Sequence, residues 1–172
     1  PIISVSQAAK ILNTSHSKTS MILSKWTQQG WLKRIKRGLY APISIEASSS
    51  EQVLTNVWVL VPELFGQAYI GGWSAAEHWG FTEQVFQSIC VVTTQRVKKK
   101  NLKIQNVSFY LKHRDDSLLF GLKSVWHQNI KIHISDPHKT MIDMLDDPAM
   151  GGGIHHVENC LRNYLNSEYY DE

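Results

Sequence analysis

The first 45 residues contain seven Lys and Arg and no Asp or Glu. A segment of that kind cannot pair its own charges. It folds as a module whose cations either stay in water or meet a polyanion, and counterion release from nucleic acid is the usual compensation. The other 127 residues carry 11 Lys and Arg against 15 Asp and Glu, so the net charge of +3 hides a basic part joined to an acidic one. The apolar fraction of 42%, with six Trp, six Tyr and five Phe, is enough to bury a core and excludes a disordered chain.

Within the basic segment, the apolar residues follow a helical period. Val5, Ala8, Ala9 and Leu12 fall at i, i+3, i+4 and i+7 behind a Ser4-x-x-Gln7 capping box. Thr19, Ile22, Leu23 and Trp26 repeat the spacing in a second stretch, about His16 to Gln29, with Gly30 placed to end it. Asn13-Thr14-Ser15 makes the turn between the two helices. Opposite the second stripe lie Ser17, Lys18, Ser20, Met21, Ser24 and Lys25, a small, hydroxylated and basic face suited to a major groove.

Trp31 to Pro42 reads as two β runs around a basic tip with a turn glycine, a wing carrying Lys33, Arg34, Lys36 and Arg37. Lys18 and Lys25 are expected to serve phosphates or guanine edges, and the wing cations to grip backbone beside the groove. Tyr40 is expected to cover the base of the wing rather than bind phosphate. Residues 1–45 are therefore expected to form a winged helix-turn-helix DNA-binding domain. Such modules ordinarily carry one more helix, which is expected upstream of residue 1.

The chain changes character near Ser48-Ser49-Ser50, and residues 46–172 are expected to form a second, α+β domain. Ser48-x-x-Glu51 predicts a helix to about Leu60, and Ser74-x-x-Glu77 a shorter one to about Trp79. Ser88–Thr94, the alternating Val107, Phe109 and Leu111, and the alternating Ile130, Ile132 and Ile134 predict at least three strands in a small, mostly antiparallel sheet. Asp136-Pro137 starts a helix to about Leu145, and Gly151-Gly152-Gly153 precedes a last one with Ile154, Val157, Leu161 and Leu165 on one face.

Three stretches together carry a family likeness. They are Gly30-Trp31-Leu32 with Arg37-Gly38-Leu39-Tyr40, then Tyr69-Ile70-Gly71-Gly72-Trp73-Ser74-Ala75-Ala76-Glu77-His78-Trp79-Gly80-Phe81, and then Ser135-Asp136-Pro137-His138-Lys139-Thr140 through Asp147-Pro148 ahead of Gly151-Gly152. In this order the sequence resembles the AbiEi-type antitoxin regulators of bacterial type IV toxin–antitoxin systems. The resemblance implies that the N-terminal module binds inverted repeats in double-stranded promoter DNA and represses its own operon. It also implies that the C-terminal domain counteracts a nucleotidyltransferase toxin. Lys139 departs from the Arg that the family often has in its Asp-Pro-x-Arg-Thr stretch.

Other chemistries find little support. Cys90 and Cys160 are 70 positions apart, which excludes a C-x-x-C motif and a disulfide framework, and both are expected to be reduced and buried. His133, Asp136 and His138, or the neighbouring His155 and His156, do not form a metal-binding pattern, and no cofactor is expected. Asp136 reads as a helix cap, and Asp143, Asp146 and Asp147 as a helix end rather than an acidic catalytic cluster. No phosphate loop, nucleophile elbow or H-E-x-x-H occurs, so the protein is not expected to be an enzyme. The basic run Lys98-Lys99-Lys100 reads as a solvated loop. Pro1 to Ser6 lack the regions of a secretory signal, and a cytoplasmic protein is expected. A solitary transcription factor whose C-terminal domain senses a ligand or oligomerises remains the alternative.

Overall fold

The computed structural model describes residues 2–43, 57–104, 107–127 and 130–170. They belong to two compact units, residues 1–57 and 58–172. The break near Ser48–Ser50 and the cap of the helix predicted from Ser48 lie outside the described residues. At the far end of that prediction, Val57–Val59 form a single 3-10 turn and the helix proper runs on beyond Leu60.

The first unit comprises β1 (Ile3–Ser4), α1 (Val5–Leu12), α2 (His16–Gln28), β2 (Leu32–Lys36) and β3 (Leu39–Pro42). The strands form an antiparallel sheet in the order β1-β3-β2. Local chemistry sets the helix ends. The Ser4 hydroxyl accepts the Gln7 N–H at 3.2 Å, and the Gln7 side chain accepts the Ser4 N–H at 2.9 Å, a reciprocal box at the start of α1. Asn13, at φ +49°, takes the left-handed conformation that ends α1, and asparagine adopts it at lower cost than most residues.

Ser15 caps α2, its hydroxyl accepting the Lys18 N–H at 3.3 Å. Gly30, at φ +79°, closes α2: its N–H donates to Thr27 and that of Trp31 to Trp26, at 3.1 and 3.0 Å. A Cβ at Gly30 would meet nothing within 4 Å, so backbone conformation rather than space calls for glycine. The Trp26 and Trp31 rings, 6.4 Å apart, supply the apolar contact that accompanies this closure.

Val5, Ala8, Leu23, Leu32 and Tyr40 form the small core of the unit, with Ile3 and Trp26 packed at its edge. Leu12, predicted to share the stripe of α1, is 38% exposed, because the two-turn helix ends beside it at Asn13.

The second unit contains α3 (Leu60–Phe65), β4 (Ala68–Ile70), α4 (Gly72–His78), β5 (Ser88–Thr93), β6 (Asn101–Ile104), β7 (Val107–His113), β8 (Leu122–His127), β9 (Ile130–Ser135), α5 (Pro137–Asp146) and α6 (Ile154–Leu165). Its sheet is mostly antiparallel, as expected, with β4–β5, β6–β7 and β8–β9 all antiparallel, but it is not small, which corrects the sequence reading. Six strands run in the order β6-β7-β5-β4-β9-β8, and both β5–β7 and β4–β9 are parallel pairs. Alternation reveals that a segment is a strand but not which strand lies beside it. Here β6 takes the edge and β7 returns between it and β5, parallel to β5.

Two further readings are corrected. Ser74 does not cap a helix: α4 begins two residues earlier, and the buried Ser74 hydroxyl accepts the Cys90 N–H at 3.0 Å. Gly72, at φ +52°, is required there, since a Cβ would lie 2.2 Å from the Met150 carbonyl oxygen and 2.8 Å from Cys90 Sγ. In α6 the buried face is Val157 and Cys160, with Leu161 and Tyr164 packed beside them, while Ile154 is 58% exposed at the first turn. Asp136 caps α5, its carboxylate accepting the Lys139 N–H at 2.7 Å ahead of Pro137.

Candidate nucleic-acid interface

The predicted functional residues lie on α2 and on the β2–β3 hairpin of the first unit. Thr19 and Leu23 turn inward on α2, which leaves the opposite side of the helix in solvent. Between that side and the hairpin runs an open groove of about 1290 Å³. Ser17, Lys18, Ser20, Met21, Ser24 and Lys25 line it from α2, and Arg34 and Arg37 from the hairpin. Eight of the ten predicted residues are thus brought together. Lys33 and Lys36 lie on β2 outside this lining.

A β-bulge sorts the hairpin cations. Arg34 pairs with Tyr40 and Lys36 with Leu39, so Ile35 is an extra residue and the alternation changes phase there. Leu32 and Ile35 are both buried as a result, and Arg34 and Arg37 fall on the groove side. Tyr40 is buried in the core at the base of the hairpin, beneath the groove.

The groove is electropositive by composition. No carboxylate occurs among residues 1–45, and Lys18, Lys25 and Arg37 form no ion pair among the described residues. Desolvation lowers the pKa of Lys36 from the ordinary lysine value. Cations on both walls, with serines and the exposed Met21 between them and no carboxylate nearby in the sequence, suit the groove to a polyanion.

The two helices, the hairpin and this groove lie in a segment that is similar to a known family. Residues 1–43 match the family described as Transcriptional regulator, AbiEi antitoxin. The match ends one residue past β3, so it takes in α1, α2 and all three strands of the first unit. Among curated proteins, no sequence matches the chain.

The matched segment also contributes groove residues that the sequence reading missed. Gln28 lies three residues after Lys25 and seven after Met21, a spacing that places it on the same face. His16 opens the helix one residue before Ser17.

The alternative sites of the second unit are occupied by structural duties. Among the described residues, no group of three His, Cys, Asp or Glu is arranged to hold a metal ion. His138 Nδ1 lies 2.6 Å from the Tyr164 hydroxyl, and His156 Nδ1 lies 2.6 Å from the Gly151 carbonyl oxygen. Asp143 accepts the Tyr69 hydroxyl at 2.7 Å and pairs with Lys139 at 2.8 Å. Asp146 pairs with Arg114, and Asp147 with Lys112. Burial and the neighbouring Asp143 raise the Tyr69 pKa, and burial pushes Cys160 up to about 11, so neither is an ionised nucleophile at neutral pH. Lys98, Lys99 and Lys100 are exposed between β5 and β6. No helix among the described residues is long and apolar enough to cross a membrane.

Proposed function

We propose that the protein is a cytoplasmic DNA-binding repressor of its own promoter and the antitoxin of a type IV toxin–antitoxin pair. In this reading residues 1–45 are a winged helix-turn-helix domain and residues 46–172 the antitoxin-type domain. α2 enters the major groove of an inverted repeat, and the β2–β3 hairpin is the wing. The carrying observation is the acid-free groove between α2 and the hairpin, lined by Lys18, Lys25, Arg34 and Arg37. The AbiEi match over the same residues supports it. Lys33 and Lys36 then hold phosphate on the outer side of the wing. The protein acts by binding, and its counterpart is a nucleotidyltransferase toxin.

A fluorescence-anisotropy titration with promoter and scrambled DNA at two salt concentrations tests the first half. Promoter-selective binding that weakens with salt, and with Lys18→Ala/Lys25→Ala, is expected; equal or absent binding overturns it. Because the AbiEi match stops at residue 43, the antitoxin role needs its own test. Co-expression with the adjacent toxin is expected to restore growth, whereas DNA binding without rescue favours a solitary regulator.

A further inference from the structure

We infer that Met21 is a specificity-determining residue that reads thymine 5-methyl groups at the centre of each operator half-site. The inference rests on the proposed DNA-binding role of α2 and names what that helix recognises.

Residues three and four apart are neighbours on a helix surface. For Met21 these are Ser17, Lys18, Ser24 and Lys25, all exposed and all lining the groove. Met21 is therefore the centre of the exposed face, and it is 71% exposed. Single exposed apolar residues are common on protein surfaces. This one is the largest side chain at the middle of a basic groove, flanked by serines too short to cover it, and it would be the first atom group to meet a base edge.

The chemistry of the face narrows what it can read. Arg or Lys reads guanine, and Asn or Gln reads adenine, through hydrogen bonds that a thioether cannot make, and the four helix neighbours of Met21 are two serines and two lysines. Serine hydroxyls bond donors and acceptors alike and so discriminate weakly, while Lys18 and Lys25 serve phosphates or guanine edges and offer nothing apolar. The thymine methyl is the apolar group that the major groove presents. A thioether side chain is unbranched and polarisable, and it can settle against such a methyl on either strand.

The test uses the full chain and the promoter fragment prepared with thymidine or, throughout, with deoxyuridine, which removes only the 5-methyl groups. Wild type is expected to bind the uridine fragment about four-fold more weakly for each methyl it contacts, the factor for one buried methylene-sized group. Met21→Ala is expected to bind both fragments equally, with its folding unchanged by circular dichroism. Lys18→Ala, as a control, weakens binding to both fragments by the same factor. Selective binding with no thymine–uridine difference, or with a difference that persists in Met21→Ala, overturns the inference and leaves the DNA-binding role intact. Absence of promoter-selective binding by wild type overturns both.

Discussion

The two units handle charge in opposite ways. In the second, four cations are matched internally: Lys112 with Asp147, Arg114 with Asp146, Lys139 with Asp143 and Arg162 with Glu158. In the first, residues 1–45 hold no carboxylate, and Lys18, Lys25 and Arg37 face an open groove. The paired charges of the second unit thus act on folding, whereas Lys18, Lys25 and Arg37 of the first are available to a partner. Substitutions at charged positions should therefore separate cleanly into those that change stability and those that change binding.

The largest effect is expected at Asp143. Its carboxylate is 4% exposed and holds both the Lys139 ammonium and the Tyr69 hydroxyl. Asp143→Ala leaves a buried lysine without its counter-ion, and a loss of about 3–5 kcal/mol in urea unfolding is expected. Promoter affinity of the folded fraction should not change. If unfolding were unaffected, the claim that internal pairing supports this unit would fail.

Next is the reverse case. Lys18→Ala/Lys25→Ala is expected to weaken promoter binding by about 1–3 kcal/mol and to reduce the salt slope by about 2. Both residues are exposed, so the urea midpoint should stay put. A shift in stability comparable to the shift in binding would break the division between the units.

A smaller effect is expected from the cap that begins the groove helix. Ser15→Ala removes the acceptor of the Lys18 N–H and should cost about 1 kcal/mol, read as reduced helicity or an earlier thermal transition. Asn13→Gly, at the left-handed position in the same turn, serves as the near-neutral companion.

The uneven legibility of the chain has the same origin as this contrast. In the first unit the helix ends and the hairpin turn are local: Ser4 with Gln7, Gly30 and the β2–β3 turn each act within a few residues, so sequence spacing identifies α1, α2 and the hairpin, whereas β1 takes its place from the distant β3 and is not read from spacing. Spacing also assembles the α2 face, because helical period alone determines who neighbours whom. It could not sort Lys33 and Lys36 from Arg34 and Arg37, since that depends on the bulge at Ile35.

In the second unit the cap at Asp136 is equally local and equally readable. The three-residue β4, buried between β5 and β9, is not, for its place comes from its partners. Ser74 shows the limit most clearly. Its spacing to Glu77 imitates a capping box, yet its hydroxyl is taken by Cys90, a residue on another element.

The smallest effect concerns acid, and it asks whether even a partly exposed pair in the second unit contributes to folding. Asp147 has its pKa held below the ordinary carboxylate value, chiefly by its hydrogen bond from Lys112, which outweighs the opposing effect of desolvation. A carboxyl depressed in the folded state binds protons less readily there than in the unfolded chain. Its contribution is therefore complete above the unfolded pKa and is lost as pH falls below the ordinary carboxylate range through the lower folded value. Asp147→Asn removes this titration, so the variant is expected to be slightly less stable than wild type at pH 7, and the gap should close as the solution is acidified. Urea midpoints at a series of pH values give the comparison directly. Parallel curves, with a constant gap between wild type and Asp147→Asn, would mean that the pair with Lys112 is ornamental, and the contrast between the units would then rest on the remaining pairs, of which Lys139–Asp143 is the buried one.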